Sequence, residues 1–438
     1  MLNLMTFNRW WDSGKVDGFY LKPYKRNLFR ILTDYLKDRQ VLAIYGLRRT
    51  GKTTLIYQIV EELLKNNIPP KNILYFSFDE NVSNLEELFR NYSEFVLFSD
   101  LTKPKRLYIF LDEIQKLSNW QNQIKIFYDL YPNIKFIISG SASILVQKGA
   151  KESLAGRIFE FILPLASFRE FLELKNEKIR SITGDFFQIT PLKEIYLAKE
   201  RISPHLLDYA KKGGFIELLN EDDDRKIKDY ARTIMERIIF ADLPGMYKIR
   251  HSELLKMIMD IVNSNPGFLL DYATLSDTFK RDQRVVADYI FYLKYAMLIK
   301  SFYNFSKNRF TSERKLKKVY SGSTNFIFAG HSEKFQNPEF LGKVIENLVA
   351  INLKEEFFWR LRNNEVDFIL KDNTPLEVKY KNQITLKEIS PLLSFCKKFK
   401  IRKGIILTKD LLKQEQISGV EIIFIPVWIF LLNSTCRS

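Results

Sequence analysis

The chain has 438 residues, 46% hydrophobic and 27% charged, which suits an ordinary globular protein with domains of about 150 residues each. Its two cysteines, Cys396 and Cys436, exclude a disulfide framework or a cysteine-built zinc site, and three singly placed histidines offer no ligand cluster. A formal net charge of +16 favours a polyanionic partner, nucleic acid first and an acidic membrane surface second.

Low cysteine content points to a reducing cytoplasm. The N-terminal stretch has no uninterrupted apolar core, so no secretory signal is expected. The longest apolar run, 422–432, contains Pro426 and is about half a membrane span, so it reads as a strand and a short helix, with no membrane partner.

After an amphipathic helix within 18–39, residues 41–45 form a short apolar run, the mark of a buried strand. Gly46, Leu47, Arg48, Arg49, Thr50, Gly51, Lys52 and Thr53 then fit G-x-x-x-x-G-K-[ST], followed by Thr54 and a helical face of Leu55, Ile56, Ile59, Val60 and Leu63. A phosphate-binding loop needs this setting, because the helix N-terminus presents N–H groups and a partial positive charge to an anion. Gly46 and Gly51 let the backbone wrap phosphate, Lys52 reaches the β- and γ-phosphates, and Thr53 ligates Mg²⁺. The expected cofactors are ATP and Mg²⁺.

Strands are expected over 73–78, 106–111 and from 135, alternating with helices over 85–98 and 120–130, which predicts a parallel α/β sheet. The third strand ends at Asp112 and Glu113. Asp112 is expected in the Mg²⁺ shell and Glu113 as the base that polarises a water. Ser139 and Ser141 end the fourth strand; Ser139 is either a γ-phosphate sensor or part of a simple turn.

LDEIQKLSNW, IISGSAS, SLAGR, LPLASFREFLEL, KKGGFIELL, NEVDFIL and PLEVKYK together resemble archaeal and bacterial ATPases of the AAA+ superfamily. In that group the P-loop domain precedes a domain of unknown function with a restriction-endonuclease-like core. The resemblance runs from about residue 25 to 430 and implies that Arg157 lies near the γ-phosphate, in its own subunit or a neighbour's. A homo-oligomer follows from the second option. The family's usual Thr at the sensor is Ser139 here.

Beyond 165 the pattern is helical to 250, a lid or linker. Residues 251–325 read as three helices and a hairpin, resembling a winged helix-turn-helix. Arg281, Gln283 and Arg284 begin its third helix, and Lys307, Arg309, Arg314, Lys315, Lys317 and Lys318 line the wing against Glu313, so DNA is one expected partner. Docking of a protein partner is the other.

In 326–438, Glu346 lies on an amphipathic helix, and Asp367, Glu377 and Lys379 fall on two strands, with Glu377 and Lys379 on one face. That order resembles the core of PD-(D/E)xK nucleases, in which Glu346, Asp367 and Glu377 would hold Mg²⁺ and Lys379 would position the water. A fold relic with structural acids is the competing reading. Residues 1–165 are thus the expected P-loop domain, followed by a lid, a winged helix and a nuclease-like α/β domain.

Overall fold

The computed structural model describes residues 4–80, 82–141, 154–179, 187–308, 312 and 315–432. Arg309, Glu313, Arg314 and Cys436 lie outside them, as do the ends of the SGSAS and SLAGR motifs. The chain divides into two units, Met1–Leu165 and Ala166–Ser438.

The first unit is built on β1 (Val41–Gly46), β2 (Ile73–Ser77), β3 (Leu107–Asp112), β4 (Ile134–Ser141) and β5 (Ile158–Ile162). All pairings are parallel, in the order β2-β3-β4-β1-β5. β1 is buried at every position, because helices cover both faces of such a sheet and a Val-Leu-Ala-Ile-Tyr run satisfies both. Helices Lys52–Lys65, Leu85–Tyr92 and Trp120–Leu130 make the connections. Register brings Ser77 level with Asp112 and Gly46 level with Ser141, so the carboxyl ends of the strands meet at one edge. Ligands of open α/β sheets bind at that edge.

Sequence reasoning missed the role of the N-terminal segment. The Trp10 and Trp11 indoles donate to the carbonyl of Ile73 at 3.2 and 2.8 Å. The Asn8 amide donates to Tyr75 O at 2.9 Å and accepts from Tyr75 N at 2.7 Å, so a side chain pairs with the outer edge of β2.

The second unit opens with helices Phe168–Leu174, Ile189–Tyr196, His205–Lys212 and Asp224–Arg237. Helices Ser252–Ser264, Tyr272–Phe279 and Gln283–Tyr295 follow, with β6 (Phe268–Leu270) between the first two. Then come β7 (Ile299–Asn304), β8 (Lys317–Ser321) and helix Pro338–Asn352. The rest is β9 (Phe357–Leu361), β10 (Asn364–Val366), β11 (Phe368–Ile369), β12 (Pro375–Lys379), helix Leu386–Phe399, β13 (Lys403–Thr408), β14 (Lys413–Ile417) and β15 (Val420–Pro426).

These strands make two sheets, β10-β9-β7-β8-β6 and β11-β12-β13-β15-β14. The hairpin expected to stand as a two-stranded wing is the middle of the first sheet, since β7 pairs with β8 on one side and in parallel with β9 on the other. A strand's second partner is set by tertiary packing, which local alternation does not encode. One core joins Phe171 and Tyr209 of the early helices, Phe302 and Tyr320 of the hairpin, and Phe368, Ile405 and Ile423 beyond it. Packing therefore runs across both the 250 and the 325 positions.

Candidate nucleotide site and acid cluster

The loop after β1 is shaped by its glycines. A Cβ at Gly46 would lie 2.5 Å from the carbonyl oxygen of Leu163, and Gly51 has φ +92, which a side chain resists. Gly51 then opens the helix Lys52–Lys65 without a side-chain cap, so its first-turn N–H groups are left to a ligand or to the loop. The Lys52 ammonium folds over the loop, donating to Gly46 O at 3.2 Å and Leu47 O at 2.9 Å. Thr50 ties the loop to itself through Leu47 O at 3.0 Å. Buried Arg26 braces it from outside the motif, donating to Thr50 O at 3.2 Å and Pro164 O at 2.9 Å. Arg48 is half-buried, Arg49 is exposed with φ 62, and Thr54 lies in the first turn of the helix.

Three hydroxyls converge on the buried Asp112 carboxylate. Thr53 Oγ1 donates to Oδ2 at 2.6 Å, Tyr75 Oη donates to Oδ2 at 3.1 Å, and Ser139 Oγ donates to Oδ1. Ser139 reaches it because β4 lies between β3 and β1. Tyr75 comes from β2 and carried no motif; an aromatic in a buried strand reads as core. Burial and the adjacent Asp112 push its phenol far above the usual range, so it stays a donor. Glu113 sits just beyond at φ 52, with its carboxylate accepting from the Gln115 amide. Strained backbone of this kind clusters at functional positions.

Hard oxygen donors of Thr53 and Asp112 are what Mg²⁺ takes, with water filling its remaining positions, so these residues fit the ion. Such an ion would neutralise phosphate charge. On the protein's side, the Lys52 ammonium lies among the loop carbonyls and the Glu113 carboxylate lies just beyond Asp112.

Arg157 is not brought to this edge. It precedes β5, its carbonyl accepts from Val41 N at 2.8 Å, and its guanidinium pairs with Asp129 at 3.0 and 3.2 Å. That is the amino end of the sheet, six residues or roughly 20 Å of strand from Gly46. The expectation that it serves the nucleotide of its own subunit is corrected by this topology, because β5 runs parallel to β1 and enters at the far edge.

The second unit gathers the other predicted residues. Asp367 lies where the chain leaves β10 in one sheet for β11 in the other. Its N–H donates to Glu377 Oε2 at 3.2 Å, and its Oδ2 accepts from Val378 N at 3.0 Å. Lys379 Nζ lies 2.6 Å from Glu377 Oε1. Glu346 accepts from Tyr320 Oη at 2.6 Å. Glu346, Asp367, Glu377 and Lys379 are thus in one place, together with Glu365, which the sequence did not single out, and Lys318, which it placed on the wing.

Lys318 was expected to face DNA. Instead it is buried, with its ammonium 2.8 Å from Glu346 Oε1, 2.8 Å from Glu365 Oε1 and 3.1 Å from Asp367 Oδ1. Burial would raise the Asp367 carboxyl, but Lys318 and Lys379 outweigh it and hold it below the usual carboxylate range. Burial and Asp367 push Glu377 up to about 8, and the same two causes raise Glu346. The space among these carboxylates is filled by an ammonium, and among the described residues no group of three or more His, Cys, Asp or Glu is placed to hold a metal. The arrangement does not fit the Mg²⁺ that Glu346, Asp367 and Glu377 were expected to bind.

Residues 38–172 match a family described as an AAA domain. The first unit is accordingly similar to AAA domains over most of its length. Residues 203–324 and 341–430 match two further families, each described as a domain of unknown function. An uncharacterized protein of Methanocaldococcus jannaschii is 29% identical over 81% of this chain and 77% of its own length. One from Haemophilus influenzae is 23% identical over 91% and 94%. A solved DNA replication initiation factor overlays 64% of this chain and 98% of its own with a TM-score of 0.28 at 17% identity. No helix among the described residues is long and apolar enough to cross a membrane.

Proposed function

We propose that this protein binds and hydrolyses ATP with Mg²⁺ in the cytoplasm and uses the cycle to bind or remodel DNA. The observation that carries the ATP reading is the convergence of Thr53, Tyr75 and Ser139 on Asp112 beside the glycine-bounded loop. Lys52 and Thr53 take the phosphates and the ion, and Glu113 is the base. If Arg157 acts on a nucleotide, it acts on that of a neighbouring copy, which makes a homo-oligomer part of that version.

Support for DNA is the +16 charge and the exposed Arg281, Gln283, Arg284, Lys307 and Lys315 around the start of a helix and a hairpin tip. A second reading is a nucleotide-switched scaffold that docks a protein. It is favoured by β7 having partners on both sides and by Lys318 being buried, which remove part of the expected basic wing. Nuclease action is not included, since Lys318 fills the acid cluster.

Phosphate release with and without DNA tests the proposal. Lys52→Ala should lose nucleotide binding, and Glu113→Gln should hold ATP without turning it over. Hydrolysis by Glu113→Gln at the unaltered rate would remove Glu113 as the base. DNA that neither binds nor changes the rate would leave the scaffold reading.

A further inference from the structure

Asn8, Trp10 and Trp11 hold the start of the chain to β2 at Ile73 and Tyr75. The chain then crosses to helix Lys52–Lys65. Val16 N donates to Glu61 Oε2 at 3.0 Å, and the Gln58 amide donates to the carbonyls of Lys22 at 2.7 Å and Tyr24 at 2.9 Å. The Lys25 ammonium pairs with Glu62 at 2.9 Å, and Arg26 reaches the loop itself at Thr50 O. Residues 8–26 are thus a strap tied to β2, to the helix and to the loop. Those elements carry Tyr75, Thr53 and the glycine-bounded backbone.

Aromatic rings run in file from the strap to Asp112. Tyr20 stacks on Tyr57, with centroids 4.7 Å apart and planes 24° from parallel. Tyr57 lies against Tyr75 at 5.0 Å, and Tyr75 donates to Asp112 Oδ2. Trp10 meets Tyr57 edge-on at 6.2 Å. Tyr57 follows Thr53 by four residues on the helix, so the two leave the same face. One grips Asp112 while the other backs Tyr75. Tyr57 and Tyr75 are buried, whereas Tyr20 is 40% exposed. Rings packed this closely do not shift singly, because a dense interior transmits displacement. The file therefore joins the surface to the carboxylate read as the ion's ligand.

We infer that Tyr20 and Tyr57 are positioning residues for the nucleotide site: the strap, acting through the file of rings, fixes Tyr75 and with it the Asp112 carboxylate. The inference rests on the proposed reading of Thr53 and Asp112 as Mg²⁺ donors beside ATP. It makes that site answer to a surface segment. Loosening the Tyr20 end costs metal affinity before nucleotide affinity, because Lys52 and the loop backbone lie outside the file.

Mn²⁺ titration of the full chain, saturated with a non-hydrolysable ATP analogue and followed by paramagnetic resonance, tests this. Tyr20→Ala should weaken Mn²⁺ at least about fivefold, the low end of couplings between sites, while the analogue's affinity in EDTA stays within about twofold. With ATP and Mg²⁺, kcat should fall and KM for ATP should stay near the parent's. Tyr20→Phe keeps the stacking ring and should restore Mn²⁺ affinity. Tyr57→Phe removes the hydroxyl that meets Tyr75. It should weaken Mn²⁺ in the same direction, and it carries the test if Tyr20→Ala does not fold. Binding is reciprocal, so Mn²⁺ with the analogue should slow backbone hydrogen exchange over 16–24 in the parent. A Tyr20→Ala protein that melts lower yet binds Mn²⁺ as the parent does shows a merely structural strap and overturns the inference. A parent that binds the analogue and Mn²⁺, with both Tyr20→Ala and Tyr57→Phe matching it, overturns the positioning roles and leaves the ATP reading. A parent that binds no analogue overturns the ATP reading and the inference with it.

Discussion

The phenol of Tyr75 donates to Asp112 Oδ2 across 3.1 Å, from the outermost strand of the first sheet. Asp112 is therefore aimed by three strands and a helix, not by its own strand alone. Tyr75→Phe removes one donor to a charged group, an interaction of about 1.5–3 kcal/mol. It should slow phosphate release at least about tenfold while nucleotide affinity, measured by titration, stays near the parent's. Unchanged turnover would show that Thr53 and Ser139 hold the carboxylate unaided.

The salt dependence of DNA binding separates surface from buried lysines. Each backbone phosphate neutralised adds about 0.9 to the slope of log affinity against log salt. Changing exposed Arg281, Arg284, Lys307 and Lys315 to Gln should lower that slope by up to about 3.6 in a gel-shift series. Lys318, buried in its acid cluster, should not be part of that surface contribution. A slope that ignores all four substitutions removes DNA from this face.

Lys135 carries a pH prediction. It is buried in β4 and donates to the carbonyls of Asp38 at 2.9 Å and Gln40 at 2.6 Å. Burial, with Arg106 nearby, lowers its pKa to about 7. Between about 7 and the ordinary lysine value near 10.4 the unfolded chain holds a proton that the folded one lacks. Stability should then rise with pH across that window, by up to about 1.4 kcal/mol per unit. Urea unfolding of Lys135→Met should lose this rise, and an identical pH slope in both proteins would refute the assignment.

Gly267→Ala should destabilise the second unit. Its φ of +78 is unfavourable for a side chain, and the new methyl would press on Tyr320, Glu346 and Lys318. A loss of about 1–3 kcal/mol is expected from backbone strain, read from the thermal or urea transition. The P-loop signature should be untouched, since Gly267 belongs to the other unit.

The parallel sheet was legible because its signals are local: apolar runs of strand length, each followed by a helical face. The loop from Gly46 to Thr53 was legible for the same reason. Tyr75 and Arg26 were not, because what they touch lies 37 and 24 residues away and depends on how strands and segments pack. Lys318 was misplaced by the pattern itself. In Lys317-Lys318-Val319-Tyr320 the charges read as a solvated strand, and only carboxylates 28 to 49 residues further on make burial of Lys318 affordable. Arg157 is the converse case: its motif was visible, but motif and distance are different things, and the direction of β5 carries it away from the loop.

Asn8 occupies the open edge of β2 with one amide group, both donating to and accepting from the backbone of Tyr75. An exposed edge strand is a template for the next chain, and ILYFS is the sort of apolar sequence that would template well. The segment from Asn8 to Trp11 covers that edge, as a guard against self-association would. A truncation that removes it would be felt first as clumping during expression, and only afterwards as any loss of chemistry.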